Sequence, residues 1–156
     1  LQGECSSWLR SYRTGFEYCA SPAFTAVVET EGGGGGGSVL GGGTGETDLD
    51  SLMVHGEKVY GEICVACHQA NGKGLSGSFP PLAGAGEFYG TPQNQAKIVI
   101  EGLTGEITVL GQTFNGTMPP QGHLEDYDIA AATTYVRNSW GNDDGIVLPA
   151  DVAAAR

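Results

Sequence analysis

Positive charge is scarce in this sequence. It holds 7 Lys and Arg against 18 Asp and Glu, for a formal net charge of −11. No basic patch is available to neutralise phosphates, which excludes nucleic acid as a partner. The same deficit excludes electrostatic adhesion to an anionic lipid surface. The acids are spread along the chain: residues 1–50 carry seven acids and two bases, residues 51–156 eleven and five. Long apolar runs are also missing. None approaches the roughly 18 residues of a membrane-spanning helix, so no transmembrane segment is expected. The first residue is Leu1, so an N-terminal piece is expected to have been removed, or the chain to be partial. Methionine occurs twice, at Met53 and Met118, and histidine three times, at His55, His68 and His123. There is one Cys-x-x-Cys. A zinc site built from two such pairs therefore lacks its second half.

What is present is the run GEICVACHQANGKG, with Cys64, Cys67 and His68 at its centre. Such a string can be a redox dithiol, half of a zinc site or a covalent haem anchor. A redox dithiol belongs after a strand in a βαβ setting. Here the residues before Cys64 have helical spacing, with Leu52, Val54, Val59, Tyr60 and Ile63 apolar, and a glycine-rich loop follows. Haem attachment uses all three residues. Two thioether bonds fix the porphyrin edge, and His68 supplies a nitrogen to the iron. The second axial position then falls to Met118, in NGTMPP, where two prolines hold the loop extended. His/Met ligation is an electron-transfer pair that raises the potential. Met53 reads as a packing residue, His123 as a rival ligand and His55 as a weaker one; for both histidines a solvated surface role is expected.

The other cysteines, Cys5 and Cys19, enclose thirteen residues and have no adjacent histidine. They read as a disulfide in an oxidising compartment. Trp8, Tyr12 and Phe16 recur every four residues between them, as on one helix face. This segment reads as a stapled cap or, alternatively, a docking surface. TAVVETE at 25–31 reads as an edge strand. Residues 31–45 hold ten glycines in fifteen positions, a flexible linker or a tract that packs on another copy. The chain thus divides into an N-terminal extension or cap at 1–30, a Gly-rich linker at 31–50 and a mainly helical domain at 51–156. Within that domain one amphipathic helix delivers Cys64. A second starts at Thr91-Pro92 and stops at Gly102. GEITVLGQTFNGTMPP is extended and turn-rich. A last helix runs through DYDIAAATTYVRNSW to a cap at Gly141-Asn142, and Leu148–Asp151 opens a short turn.

Residues 51–142 resemble a class I monohaem cytochrome c of the bacterial branch. The resemblance rests on CVACH, FPPLAG, VLGQTFNGTMPP and YVRNSWGN. It implies the cytochrome c fold, short helices and long loops around one covalent haem c. It implies that Gly56 and Tyr60 cross the C-terminal helix at Tyr135. It further implies that the Pro80 carbonyl orients His68 and that Trp140 packs near the haem or its propionates. The family's ring of docking lysines is absent: only Lys58, Lys73 and Lys97 are available, so an apolar docking face is expected. Residues 1–50 fall outside the resemblance.

With both axial positions filled, substrate cannot reach the iron. The chain reads as a one-electron carrier, not an enzyme by itself. Its expected donor is a quinol-oxidising complex or dehydrogenase; its acceptor is a terminal oxidase, a reductase or the next haem. Haem attachment and the disulfide place it outside the cytoplasm, in the periplasm or at the cell surface, alone or in a membrane-associated or extracellular assembly. Two alternatives stand beside this. One is a haem-bearing subunit of a larger complex or homopolymer gripped by residues 1–50. The other is an open-site peroxidase or gas sensor.

Overall fold

The computed structural model describes residues 46–156. The expected Cys5–Cys19 disulfide, aromatic stripe, edge strand and glycine tract 31–45 lie outside the described residues.

Helix α1 (Leu49–Val59) begins at Asp48, whose extended backbone turns its carboxylate back onto the Ser51 N–H at 3.0 Å. That bond satisfies one of the donors a helix start leaves open. Leu52 and Val59 are fully buried on its inner face, with His55 and Gly56 beside them. The stretch that delivers Cys64 is not one regular α-helix, as the periodicity suggested. A π turn (Tyr60–Cys64) follows, closed by the Val65 N–H onto the Tyr60 carbonyl, and then α2 (Val65–His68). A π turn adds a residue to the winding, so apolar spacing alone does not reveal it. It rotates the Cys64–His68 face relative to α1.

A loop follows, with the short α3 (Gly86–Tyr89). Helix α4 (Pro92–Glu101) starts as its sequence predicts: the Thr91 hydroxyl accepts the Asn94 N–H at 3.2 Å and Pro92 occupies the first turn. The extended stretch beyond Gly102 is an antiparallel hairpin of β1 (Leu103–Val109) and β2 (Gln112–Met118), running from Leu103↔Met118 to Val109↔Gln112. Leu110 and Gly111 connect the strands with φ of 50° and 74°. Two positive φ values define the tight hairpin turn that matches strand twist.

Helix α5 (Asp126–Arg137) packs across α1. A β-carbon on Gly56 would overlap the Ala131 carbonyl and the Tyr135 Cβ, so glycine sets how closely the two helices approach. Helix α5 stops at Arg137 with Asn138 as cap, short of the expected Gly141-Asn142. The Asn138 amide takes the Thr134 carbonyl at 2.8 Å and the Gly145 carbonyl at 3.0 Å, so the side chain replaces continuing helix. The expected final turn is a seven-residue helix, α6 (Pro149–Ala155). Its Asp151 carboxylate accepts the Leu148 N–H at 2.9 Å. Val152 of α6 joins Ala96, Ile129, Ala130 and Val147 in one buried cluster. A second cluster contains Tyr60, Ala85, Tyr89, Val109, Phe114 and Val136. The described domain is mainly helical with one small hairpin. No helix among the described residues is long and apolar enough to cross a membrane.

Candidate functional site

Apolar side chains from both ends of the domain converge on a wide cleft of about 1260 Å³, counted to its open mouth. The π turn and α2 bring Cys64, Cys67 and His68 to one part of its lining. The hairpin brings Ile107, Val109, Phe114 and Met118, and α4 brings Ile98 and Val99. Four of the five residues proposed from sequence as the cofactor set, and the fifth, Pro80, all line this one space. Met53 and the other two histidines do not.

His68 is buried, and its Nδ1 lies 3.0 Å from the Pro80 carbonyl oxygen. A carbonyl can only accept, so Nδ1 carries the proton and donates it, leaving the Nε2 lone pair free. Burial pushes the His68 pKa down, with the Pro80 bond acting weakly the other way. The imidazole is thus held neutral and fixed in orientation, as a metal ligand requires. The Tyr60 hydroxyl donates to the Gln69 carbonyl at 2.7 Å and secures the chain just past His68.

Cys64 and Cys67 are not disulfide-bonded. Burial, and then the neighbouring Cys67 sulfur, push the Cys64 thiol up to about 11. A redox dithiol shows the opposite, a lowered pKa that supplies thiolate near neutrality. Met118 closes β2, half-buried, with Pro119 and Pro120 directly after it.

One sequence expectation needs correction. His55 is not a solvated surface residue. It is buried, and its Nε2 meets the Asp128 carboxylate at 2.6 Å across the α1–α5 crossing, with the Tyr127 ring 5.1 Å away. Helical periodicity placed His55 on α1 but could not show a partner 73 positions later. His123 is exposed, as expected, and does not line the cleft. Trp140 lies outside the lining as well. Its indole N–H donates to the Ala70 carbonyl at 3.0 Å, and its ring packs on Tyr60 and Tyr135 at 5.2 and 5.7 Å. It buttresses the Cys64–His68 loop from outside. Lys58, Lys73 and Lys97 are all exposed, and Lys97 lies 3.7 Å from Glu101.

Sequence reasoning passed over a polar group in the wall. Gln95 and Tyr89 line the cleft, and Arg137 stands behind them. Arg137 ends α5, where sequence gives it no distinguishing signal; only its burial, at 5 % exposure, marks it. The hairpin was readable in principle from the alternation in EITV, but its Leu-Gly turn lacks the usual Asn-Gly signal.

Two thiols, one free imidazole nitrogen and one thioether thus face a broad slot that is otherwise apolar. This donor set fits a flat apolar macrocycle with a central iron and two reactive edge groups. The cysteines would hold the edge, and His68 and Met118 the iron.

The family model described as "Cytochrome c" matches residues 53–140. Cytochrome c-552 of Thermus thermophilus is 38% identical over 91 residues, 56% of this chain and 69% of that protein. The gluconate 2-dehydrogenase cytochrome c subunit of Pantoea cypripedii is 38% identical over 109 residues, 65% of this chain and 24% of its own length. The alcohol dehydrogenase (quinone) cytochrome c subunit of Gluconobacter oxydans is 28% identical over 115 residues, 65% of this chain and 22% of its own length. The chain thus spans less than a quarter of either dehydrogenase subunit.

Proposed function

This chain belongs to the cytochrome c family and carries one covalent haem c, and we propose from that premise that it moves single electrons through an iron held by His68 and Met118. Bound haem c supplies reversible one-electron redox chemistry. The chain's own residues do the rest. Cys64 and Cys67 anchor the group from one helical turn. Pro80 holds the His68 ring in one tautomer and raises its basicity. Met118 at the strand end would supply its thioether to the iron and keep exogenous ligands away. The apolar lining from Ile98, Val99, Ile107 and Phe114 excludes water, which keeps rearrangement between oxidation states small. The observation that carries this reading is the meeting of Cys64, Cys67, His68 and Met118 on one apolar cleft.

We place the protein outside the cytoplasm, between a quinol-oxidising complex or dehydrogenase and a terminal oxidase or reductase. Residues 1–30 act as an extension or cap and 31–50 as a linker, with a Cys5–Cys19 disulfide. A second reading, a haem-bearing subunit of a larger complex, is favoured by the similarity to the two dehydrogenase cytochrome c subunits.

Carbon monoxide discriminates carrier from open-site haem protein. The reduced wild type is expected to reject it and Met118→Ala to bind it. Rapid, tight binding by the wild type would replace the carrier reading with a peroxidase or sensor.

A further inference from the structure

Arg156 stands one residue past α6 and directs all three nitrogens of its guanidinium at one loop. Nε donates to the Asp126 carboxylate at 2.7 Å, Nη1 to the Gly122 carbonyl at 2.7 Å and Nη2 to the Leu124 carbonyl at 2.8 Å. These acceptors belong to the stretch that leads from Met118 into α5. The Arg156 and Asp126 side chains are each 35% exposed, so water screens their charge attraction. The planar fork matters more: one rigid group fixes three acceptors along five residues of loop.

The same loop is held by α4 as well. The Gln121 N–H donates to the Val99 carbonyl at 2.9 Å, and a β-carbon on Gly122 would crowd the Ile100 carbonyl. A β-carbon on Gly102, at the end of α4, would overlap the Met118 carbonyl. Helix α6 is itself pinned to α4. Its Val152 is fully buried against a cluster that includes Ala96, and Gln93 Nε2 donates to the Asp151 carboxylate at 2.5 Å. Two anchored helices therefore grip the loop. On its inner side Pro119, Gln121 and Leu124 line the cleft together with Met118.

We propose that Arg156 is a positioning residue for Met118: from outside the cleft it locks loop 119–126 closed, and so sets how readily the thioether yields the iron to another ligand. The inference rests on the reading of His68 and Met118 as the axial pair. A ligand that replaces Met118 needs the room that the thioether and this loop occupy. With Arg156 in place, opening the loop breaks three charge-assisted hydrogen bonds. Without it the loop opens more often, and the apparent affinity for the incoming ligand rises in proportion to the open fraction.

The test is imidazole titration of the oxidised, haem-loaded protein at fixed pH and salt, followed by the visible spectrum of the iron. Arg156→Ala is expected to bind imidazole about tenfold more tightly than the wild type. Arg156→Lys keeps the charge but not the fork, so a gain of about threefold is expected. Met118→Ala leaves a space that admits imidazole with the loop closed. Adding Arg156→Ala to that variant is therefore expected to change its affinity by less than about twofold. An unchanged imidazole affinity in folded, haem-loaded Arg156→Ala overturns the proposal, even if its stability falls, because a merely structural bond would do only that. An equal gain in the Met118→Ala background also overturns it, since Arg156 would then act on access and not through Met118. If Met118→Ala alone binds imidazole no more tightly than the wild type, the axial reading fails instead.

Discussion

His68 Nδ1 donates a hydrogen bond to the Pro80 carbonyl at 3.0 Å, across twelve residues of loop. The carbonyl is held there by close packing: a β-carbon on Gly74, whose φ is +61°, would overlap the carbonyl oxygens of Phe79 and Pro80. The Gly74 N–H in turn donates to the His68 carbonyl at 3.0 Å. One glycine therefore fixes both ends of the relationship. Gly74→Ala is expected to displace the Pro80 carbonyl, weaken the bond and make His68 a poorer donor to oxidised iron. The reduction potential should rise, by about threefold in the oxidised-to-reduced ratio or about 30 mV. Redox titration checks this; a lower or unchanged potential would separate the bond from ligand strength.

Cys64 and Cys67 sit on one helical turn at the same part of the cleft lining. Each single change to alanine should leave one thioether, and the double change none. Denaturation followed by mass measurement reads this directly: haem stays with both single variants and leaves the double one. Retention in the double variant would place attachment elsewhere.

The α1–α5 crossing depends on Gly56. Alanine has the better helix propensity, by up to about 1 kcal/mol, yet its methyl would meet the Ala131 carbonyl and Tyr135. Backbone on the facing helix cannot rotate aside, so overpacking wins. Gly56→Ala is expected to destabilise the holoprotein by about 2–3 kcal/mol in urea. A neutral effect would mean that the two helices separate freely.

The buried His55–Asp128 pair bridges the same crossing. Asp128→Ala leaves the His55 Nε2 without a partner and should cost about 1–3 kcal/mol. Asp128→Asn retains an acceptor and should cost less. Equal losses in the two would show that the carboxylate's charge, not the hydrogen bond, matters at this site.

The Asp48 carboxylate accepts the Ser51 N–H, and those bonds hold its pKa below the ordinary carboxylate value. The folded state therefore binds its proton less readily than the unfolded chain. The cap's contribution is full above about pH 4, the unfolded value, and is lost as pH falls through the lower folded value. The protection of the Ser51 amide, measured relative to its intrinsic exchange rate at each pH, should fall on acidification in the wild type. In Asp48→Asn it should lack that acid step.

Much of the chemistry was legible in sequence because it is local. Cys64, Cys67 and His68 lie within five positions of one another, so their spacing already states much of their geometry. The Thr91-Pro92 start of α4 and the glycine at 56 are likewise short-range signals, set by backbone donors and side-chain size. Met118 is one of two methionines in the chain, and the one that lines the cleft. What only tertiary structure decided involves groups far apart in the chain. The burial of His55 depends on Asp128, the stop of α5 on Gly145, and the placement of Trp140 on Ala70. The Gln95–Arg137 pair spans 42 residues and two helices. Arginine at a helix end and glutamine in a first turn look like ordinary solvated residues. Only packing removes water from them, and only then must their charge and hydrogen bonds be answered within the fold.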